Sequence, residues 1–312
     1  MICKCLIYLN PTIKFRVQYS YTSHGRRNNK MNTTWISSMA ELSPIVMPVL
    51  EMLNPQRICE IGAGTGMNSK VLGEFLRKRQ GQLFTIDPTP LQGFMEWAAV
   101  SCDVVTHIHE YSLKALPLIG KADAWFLDGD HNWYTVYHEL LCLEKLSEVS
   151  QDPLLIFLHD MSWPCARRDL YYDPKQIPAE FLHPHSSEIT ITLDNPSICE
   201  GGLGGSIWAM HEGGPRNGIL TAVEDFIAQS KIKFHWIHVP AVLGLGVLVD
   251  QRHPLANQIV QFYAPYHNHP LLAALERDRV SKHLTICVLQ DKISKMSTFL
   301  KSLNKFCDLE KI

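Results

Sequence analysis

Length, composition and charge already bound what this chain can be. Its 312 residues suffice for one large domain or two small ones at ~150 residues per domain. A hydrophobic share of 46% with 19% charged residues provides a substantial core and excludes a disordered chain. The net charge of −2 gives no basic excess that would point to nucleic acid as a partner. No run of ~18 apolar residues occurs, so no transmembrane helix is predicted.

The start of the chain differs in composition from the rest. It is basic, and the first acidic residue is Glu41. We interpret residues 1–34 as a disordered leader or an upstream extension, although an acid-poor start also fits a targeting segment. The basic residues in this part are Lys4, Lys14, Arg16, Arg26, Arg27 and Lys30.

The nine cysteines are an odd number and contain no C-x-x-C pair. The sequence therefore predicts neither a disulfide framework nor a zinc site. Unpaired cysteines fit a reducing compartment, and we expect the protein to be cytoplasmic.

From residue 35 onward, short apolar runs alternate with helical stretches. A helix over 36–53, interrupted near Pro44 and Pro48, opens this part of the chain. The alternation that follows predicts parallel βαβ units in a doubly wound sheet, with helices on both faces. The predicted strands are 57–61, 82–86, 103–107, 122–127 and 154–158, and the predicted helices between them are 68–79, 91–100, 113–119 and 134–148.

The alternation stops after Asp160 and resumes near residue 218. We interpret residues 161–217, rich in Pro, Gly, Tyr, Trp and His, as a lid insertion, because structureless segments of such length are usually lids or binding loops. A helix over 218–229 and strands over 233–239 and 242–249 follow. The tight turn between these strands predicts an antiparallel last strand in a mostly parallel seven-stranded sheet.

We therefore divide the chain into a leader, a domain over 35–250 that includes the insertion, and a helical C-terminal extension over 251–312. The extension ends in an amphipathic helix over 284–306. We expect it to serve packing or a homo-oligomer contact.

A glycine-rich turn, Glu60-Ile-Gly-Ala-Gly-Thr-Gly66, lies between the first predicted strand and the next helix. Glycines let a ligand approach the backbone closely, and the helix start offers free N–H groups. Asp87 ends the second strand 21 residues after Gly66, where a carboxylate can accept the hydroxyls of a ribose.

The spacing of this turn bears on the choice of cofactor. A dinucleotide fingerprint requires glycine at position 67, which is Met67 here. The pattern E-x-G-x-G-x-G instead resembles motif I of the class I S-adenosylmethionine-dependent methyltransferases. That resemblance implies a Rossmann-like fold, S-adenosylmethionine as the cofactor, and cofactor contacts from Glu60, Gly62, Ala63, Gly64, Gly66, Asp87 and Asp128. A nicotinamide enzyme and a sheet without catalysis stay open as alternatives.

Acidic and histidine side chains follow the fourth and fifth strands. Leu127-Asp-Gly-Asp-His131 ends one strand and Leu158-His-Asp160 the other. The carboxyl ends of neighbouring parallel strands face one crevice, so we expect these side chains to converge near the cofactor. Carboxylates and imidazoles there could hold Mg²⁺ or Mn²⁺. Alternatively, Asp128 caps the following helix and His159 is a hydrogen-bonded core histidine.

These two segments resemble the rhamnosyl-methyltransferase and cephalosporin-hydroxylase-like family and the metal-dependent O-methyltransferases of sugars and catechols. The resemblance covers about residues 44–249. It implies metal ligands at Asp128 and Asp160, and a general base at His131, three residues after the first acid. His159 stands where the family usually has an acid, and we include it among the predicted metal ligands.

The expected reaction is methyl transfer to a hydroxyl of a small-molecule acceptor, a sugar or glycan above all. Aromatic and arginine side chains suit a sugar ring and an anionic substituent. An N-methyltransferase is an alternative, although the chain has no N-P-P-Y-type tetrapeptide. A third reading is a binding protein without chemistry. Candidate acceptor contacts are Trp133, Tyr134, Trp163, Arg167, Arg168, Tyr171 and Tyr172, with glycine pairs at 201–205 and 213–214 as hinges.

Overall fold

A computed structural model describes residues 37–199 and 201–309. The predicted leader, residues 1–34, lies outside the described residues, as do Glu200 and the last three residues of the predicted C-terminal extension. A short 3-10 helix, Met39–Leu42, precedes the first α-helix, Ser43–Leu53. Pro48 lies inside this helix, so the expected interruption there is wrong. Loss of one N–H donor does not end a helix that packs its apolar face against the domain.

Most helices and strands fall within a few residues of their predicted positions. In chain order the helices are α1 (Ser43–Leu53), α2 (Met67–Arg77), α3 (Gln92–Val100), α4 (Ser112–Ile119), α5 (Trp133–Ser150), α6 (Ile219–Gln229), α7 (Ala256–Tyr263) and α8 (Pro270–Leu309). The strands are β1 (Arg57–Ile61), β2 (Gln82–Ile86), β3 (Val105–Ile108), β4 (Ala124–Leu127), β5 (Leu155–Leu158), β6 (Leu170–Tyr171), β7 (His185–Ser186), β8 (Thr190–Thr192), β9 (Asn195–Cys199), β10 (Ile207–Ala209), β11 (Phe234–Val239) and β12 (Leu245–Asp250).

Seven of these strands form the main sheet, in the order β11-β12-β5-β4-β1-β2-β3. Strands β1 to β5 pair in parallel, whereas β12 is antiparallel to both β5 and β11. The predicted mostly parallel, seven-stranded, Rossmann-like sheet with an antiparallel last strand is thus confirmed. In the register, Ile61 pairs with Leu127 and Leu127 with Leu158, so β1, β4 and β5 end side by side.

Two apolar layers cover the faces of the sheet, as continuous apolar strands require. One buried cluster joins Trp125 of β4 to Leu140 of α5 and Phe226 of α6. The other joins Phe157 of β5 to Tyr263 of α7 and to side chains of α1 and α2. The polar edge where the strands end is left free to carry a site.

The predicted lid insertion is more ordered than its sequence suggests. It forms a three-stranded sheet, β6-β10-β7, and a two-stranded hairpin, β8-β9. These strands have two to five residues, too few for an alternating pattern to be recognised. The insertion is also joined to the domain by its backbone, because Leu170 N donates to His131 O at 2.9 Å.

The helical C-terminal extension is confirmed as far as it is described. Its last helix, α8, has 40 residues. Among the described residues, no helix combines the length and apolarity needed to cross a bilayer.

Candidate active site

The glycine turn follows β1 and leads directly into α2. Its three glycines have φ values of +88° at Gly62, +48° at Gly64 and +79° at Gly66. All three lie in the left-handed region that side chains disfavour, so the turn needs glycine at these positions. Gly66 is the residue that precedes the first turn of α2.

The glycine turn lies against the end of β4. A Cβ built on Gly62 would lie 2.0 Å from the backbone oxygen of Asp128. Asp128 N also donates to Ile61 O at 2.9 Å, so the end of β4 is hydrogen-bonded to the residue that precedes the turn. The turn and the polar residues after β4 therefore share one edge of the sheet, as the order of the strands predicts.

Gly64 is the glycine with room beside it. A Cβ on Gly64 would meet no atom within 4 Å. Asp87 Oδ2 accepts the N–H groups of Ala63 and Gly64 at 2.9 Å each, and its Oδ1 accepts Thr89 N at 2.8 Å. A carboxylate has about four acceptor positions. Asp87 is thus left with about one free position, so it can hold one ribose hydroxyl where the sequence predicted two.

Glu60 lies behind the turn and supports it. Its side chain is buried and accepts hydrogen bonds from Asn68 Nδ2 at 2.8 Å and from the Ser69 hydroxyl. Burial raises the pKa of Glu60 to about 8, despite these hydrogen bonds. Glu60 therefore fastens the first turn of α2, and its predicted contact with a cofactor stays a prediction.

Four side chains after β4 and β5 form a compact group, here called the Asp–His cluster: Asp128, His131, His159 and Asp160. His131 Nε2 lies 2.8 Å from Asp160 Oδ2 and 3.5 Å from Asp128 Oδ1. His159 Nδ1 lies 3.3 Å from Asp128 Oδ1 and 3.4 Å from Asp160 Oδ2. The sequence prediction that these residues converge is correct.

Opposite charges determine the protonation of this cluster. Burial opposes charge on every member, but the Asp160 and Asp128 carboxylates outweigh it and raise the pKa of His131 to about 10. The same pairing raises the pKa of His159 and lowers the pKa of Asp128 and of Asp160. These shifts favour ionised carboxylates paired with protonated imidazoles in the cluster.

The backbone around β5 is strained at the cluster. Asp160 has φ +58°, a conformation uncommon outside glycine. Its neighbour His159 places Nε2 2.9 Å from Val242 O, in the loop between β11 and β12. Glu276 of α8 supports that loop by accepting Val242 N at 3.1 Å and Leu243 N at 2.8 Å. Strain of this kind is typical of functional sites.

The geometry bears on the alternative roles of Asp128 and His159. Asn132 is the N-cap of α5 and accepts Thr135 N at 2.9 Å, so Asp128 is not the cap. His159 is buried and has polar neighbours at both ring nitrogens, which also satisfies the description of a core histidine. Asp130 contacts the capping residues: it accepts from Thr135 Oγ1 and Asn132 Nδ2 and lies beside the Asp–His cluster.

Sequence reasoning missed the residue that anchors the insertion next to His131. Asp169 Oδ1 accepts Trp133 N at 2.8 Å and Gly218 N at 2.7 Å, and its Oδ2 accepts the Tyr171 hydroxyl at 2.9 Å. Asp169 thereby ties the starts of α5 and α6 to the insertion. A lone Asp between Arg168 and Leu170 carries no sequence signal for such a role.

Most of the predicted acceptor contacts have structural roles instead. Arg168 is fully buried and donates to Ala209 O at 2.6 Å and Pro196 O at 2.8 Å. Arg167 pairs with Glu224 on the surface. Tyr171 and Trp133 are buried, and Trp163 packs against the core. Arg168, Tyr171 and Trp133 are thus engaged in contacts within the protein, and their contact with an acceptor stays a prediction.

The Tyr172 side chain of the insertion reaches the cluster. Its hydroxyl lies 3.2 Å from His131 Nδ1, and the side chain is only partly buried. His131 therefore has a carboxylate at one ring nitrogen and a hydroxyl at the other. A hydroxyl can approach His131 Nδ1 in this geometry, which is the position that a base needs.

The donor set of the cluster fits a divalent cation. Asp128, His131 and Asp160 each offer one ligand atom, and these atoms lie within 4.8 Å of one another. Carboxylate oxygen with imidazole nitrogen suits Mn²⁺ and other transition ions, and carboxylates alone suit Mg²⁺. The predicted ligand set of Asp128, His159 and Asp160 overlaps with this group in its two acids.

Space behind the cluster is small. A cavity of about 10 Å³ is lined by residues that include Asp128, His131, Glu139 and His159. That volume corresponds to about one water molecule. Glu139 is buried and its Oε1 has no hydrogen-bond partner among the described residues. Burial raises the pKa of Glu139 to about 8.

No family model and no curated protein matches this sequence. Solved structures resemble it distantly. SAH-bound methyltransferase PaMTH1 of Podospora anserina is 16% identical over 69% of this chain and 80% of its own, with a TM-score of 0.44. A putative caffeoyl-CoA O-methyltransferase of Staphylococcus aureus is 12% identical over 67% and 83%, with a TM-score of 0.42. The O-methyltransferase TomG of Streptomyces achromogenes, solved with SAM, is 15% identical over 69% and 82%, also at 0.42.

Proposed function

We propose that this protein is an S-adenosylmethionine-dependent O-methyltransferase, metal-assisted, that acts on a hydroxyl of a sugar or other small molecule. One observation carries the proposal: the glycine turn and the Asp–His cluster meet at a single edge of the sheet. Gly62 touches the backbone of Asp128, whose side chain belongs to the cluster. A cofactor at the turn and an acceptor at the cluster would therefore be neighbours, as direct methyl transfer requires.

The turn supplies the features that an adenosyl cofactor needs. Gly64 has open space beside a left-handed backbone, so a ligand can approach the chain there. Asp87, fixed by two N–H groups of the turn, retains about one acceptor position for a ribose hydroxyl. The bound cofactor would supply the methyl group on its sulfonium, which is already a good electrophile.

The protein's task is then to place a hydroxyl and to remove its proton. Orientation of two reactants can contribute ~7–11 kcal/mol to the rate, and a general base a further ~10²–10⁴-fold. We assign the base to His131, at the ring nitrogen Nδ1 that now faces the Tyr172 hydroxyl. Asp160 orients the ring from Nε2.

The high pKa of His131 has a consequence for this role. A ring that is protonated at neutral pH cannot accept a proton, and the two carboxylates keep it protonated. A divalent cation held by Asp128 and Asp160 would supply positive charge in place of that proton and stabilise the alkoxide of the acceptor. Metal assistance is therefore a requirement of this proposal.

The acceptor site lies between His131 and the insertion. The insertion is hydrogen-bonded to the backbone of His131 and anchored by Asp169. The residues near 170 would therefore form a rigid side of the acceptor site. The Tyr172 hydroxyl now lies at His131 Nδ1. An acceptor hydroxyl must either displace the Tyr172 hydroxyl or bind beside it. The proposed lid movement would involve the later part of the insertion, with its glycines at 201–205 and 213–214.

His131→Ala tests the assignment of the base. We expect methyl transfer to be lost while S-adenosylmethionine binding, measured by calorimetry, is nearly unchanged, because His131 lies outside the glycine turn. Methyl transfer is measured with radiolabelled cofactor in a screen of glycan, nucleotide-sugar and phenolic acceptors, with and without Mg²⁺ or Mn²⁺. Loss of cofactor binding in this variant would instead show that His131 has a structural role.

Asp128→Asn and EDTA test the metal. Each should remove activity, and added Mn²⁺ should restore the EDTA-treated wild type but not the variant. Full activity in EDTA would contradict the proposal, because His131 is protonated at neutral pH without a cation.

A second candidate function is cofactor binding without catalysis. It is favoured by the internal pairing of the side chains in the Asp–His cluster. Every imidazole nitrogen in it already has a polar neighbour, and the charges balance internally. A protein that binds S-adenosylmethionine but transfers no methyl group to any acceptor class would support this candidate.

A further inference from the structure

The outer side of α8 carries an apolar stripe. Leu289, Ile293, Met296 and Leu300 are 52%, 62%, 65% and 56% exposed. They follow one another at intervals of four, three and four residues, and the sequence continues the same intervals at residues 303 and 307. This alternation is the heptad spacing of coiled coils, in which positions a and d face a partner helix. We call these positions the α8 stripe.

The stripe does not face the protein's own core. Val280 and Leu284 are the α8 side chains buried in the main cluster. At ~100° per residue, the α8 stripe lies on the opposite side of the helix from these two residues. Along the line of Val280 and Leu284, the later residues are polar: Asp291, Ser294, Lys295 and Thr298. Within the part of the chain that the structure describes, the main domain therefore leaves the apolar side of the second half of α8 uncovered.

The spacing and the charges favour a second copy of this chain as that partner. A 3–4 repeat is complementary to another helix with the same repeat, and from residue 289 to 307 it spans ~27 Å, between two and three heptads. The flanking e and g positions of the described part are Gln290, Lys292, Ser297 and Phe299. One charge among four flanking positions creates no repulsion between identical helices and offers no charge pattern that would select a different partner.

We propose that the protein forms a dimer in solution by pairing the α8 stripes of two copies in a coiled coil. This inference is independent of the proposed enzymatic activity, since no residue of the stripe belongs to the candidate active site. It does bear on that site by position: Glu276, earlier on the same helix, holds the loop whose Val242 carbonyl contacts His159.

The test measures the mass of the full-length chain by light scattering after size exclusion, over a range of micromolar concentrations. We expect the wild type to have twice the 35.5 kDa mass of one chain. The double variant Ile293→Lys, Leu300→Lys should be monomeric, with association weakened ~100-fold or more, because charges replace apolar side chains at two a positions of each helix.

The matched control is Ser294→Lys, Thr298→Lys, which adds the same charge to the polar side of the same segment. We expect this variant to remain a dimer. Circular dichroism checks that both variants keep the helix, which exposed side chains should allow.

Three outcomes would overturn the proposal. The first is a wild type that is monomeric at every concentration measured. A monomer that binds anionic phospholipid vesicles through the α8 stripe would be one such case. The second is a dimer that survives in the Ile293→Lys, Leu300→Lys variant. The third is a stoichiometry above two.

Discussion

The glycine turn and the Asp–His cluster are neighbours, but they are held in different ways. The turn is determined by its backbone: three left-handed glycines and the N–H groups that Asp87 accepts set its shape, and Gly64 is left open. The cluster is determined by its side chains, which form ion pairs with one another. The cavity beside these side chains is small. Under the proposed function, the cofactor side would be preorganised, whereas the reacting side would have to exchange its internal pairs for a cation and an acceptor.

Gly62→Ala should break the contact between the two regions and have the largest effect. Its Cβ would lie 2.0 Å from the Asp128 backbone oxygen, at φ +88°. We expect the free energy of unfolding, from chemical denaturation, to fall by about 3–5 kcal/mol and cofactor binding to be lost. Gly93→Ala is the control, because its Cβ meets nothing within 4 Å. A Gly62→Ala variant as stable as the wild type would contradict the tight contact.

Asp160→Asn should break the cluster and leave the turn intact. The variant removes the carboxylate 2.8 Å from His131 Nε2, and loss of one partner of a buried pair costs about 3 kcal/mol. The raised pKa of His131 means that this stabilisation is complete below pH 6.5 and is lost as the pH rises to about 10.

The stability defect of Asp160→Asn should therefore be largest near pH 6 and shrink toward pH 10. Denaturation curves across that range measure it. Asp103→Asn, in the exposed pair with Arg77, is the matched control and should cost below ~1 kcal/mol. A defect that does not depend on pH would show that the Asp160–His131 pair is not charged.

Gly64→Ala sharpens the comparison within the turn itself. Its Cβ has no neighbour within 4 Å, so only the φ of +48° opposes it, at about 1–2 kcal/mol. The methyl group would occupy the space assigned to the ligand, so we expect S-adenosylmethionine to bind at least ~10-fold more weakly. Calorimetry measures the affinity, and unchanged binding would place the cofactor elsewhere.

Glu139→Gln examines the buried acid behind the cluster and should have the smallest effect. Burial raises the pKa of Glu139 from 4.5 to about 8, so the wild type loses stability as the pH rises between these values. The amide does not titrate, and we expect the variant to be more stable than the wild type by about 1–2 kcal/mol at pH 8. Glu74→Gln, on the exposed side of α2, controls for the change in net charge. Equal pH profiles for Glu139→Gln and the wild type would contradict the burial of a neutral acid.

The sequence predicted the parts of this site that depend on local patterns and strand order. Residues 57–61 and 82–86 were recognisable as strands because they are short apolar runs that end in a glycine turn or an acid. The meeting of Gly62 with Asp128, and of Asp128 with Asp160, then follows because parallel strands end on one side of a sheet.

Contacts made across the sequence could not be predicted in this way. Tyr172 and Asp169 come from an insertion with strands of two or three residues around them, which show no periodicity. Arg168 looks like a surface residue from its charge, yet its burial depends on two backbone carbonyls that are 28 and 41 residues away in sequence. Such pairings are fixed by tertiary packing.

Glu276 connects the C-terminal helix to the Asp–His cluster, although no side chain of the cluster belongs to that helix. It accepts two N–H groups of a loop in which Val242 and Leu243 have φ of +51° and +64°. Without that carboxylate, the loop would relax, and the carbonyl that fixes the His159 ring would move with it. Shortening the protein before residue 276 would thus alter an imidazole more than a hundred positions upstream, and the last helix cannot be treated as a dispensable tail.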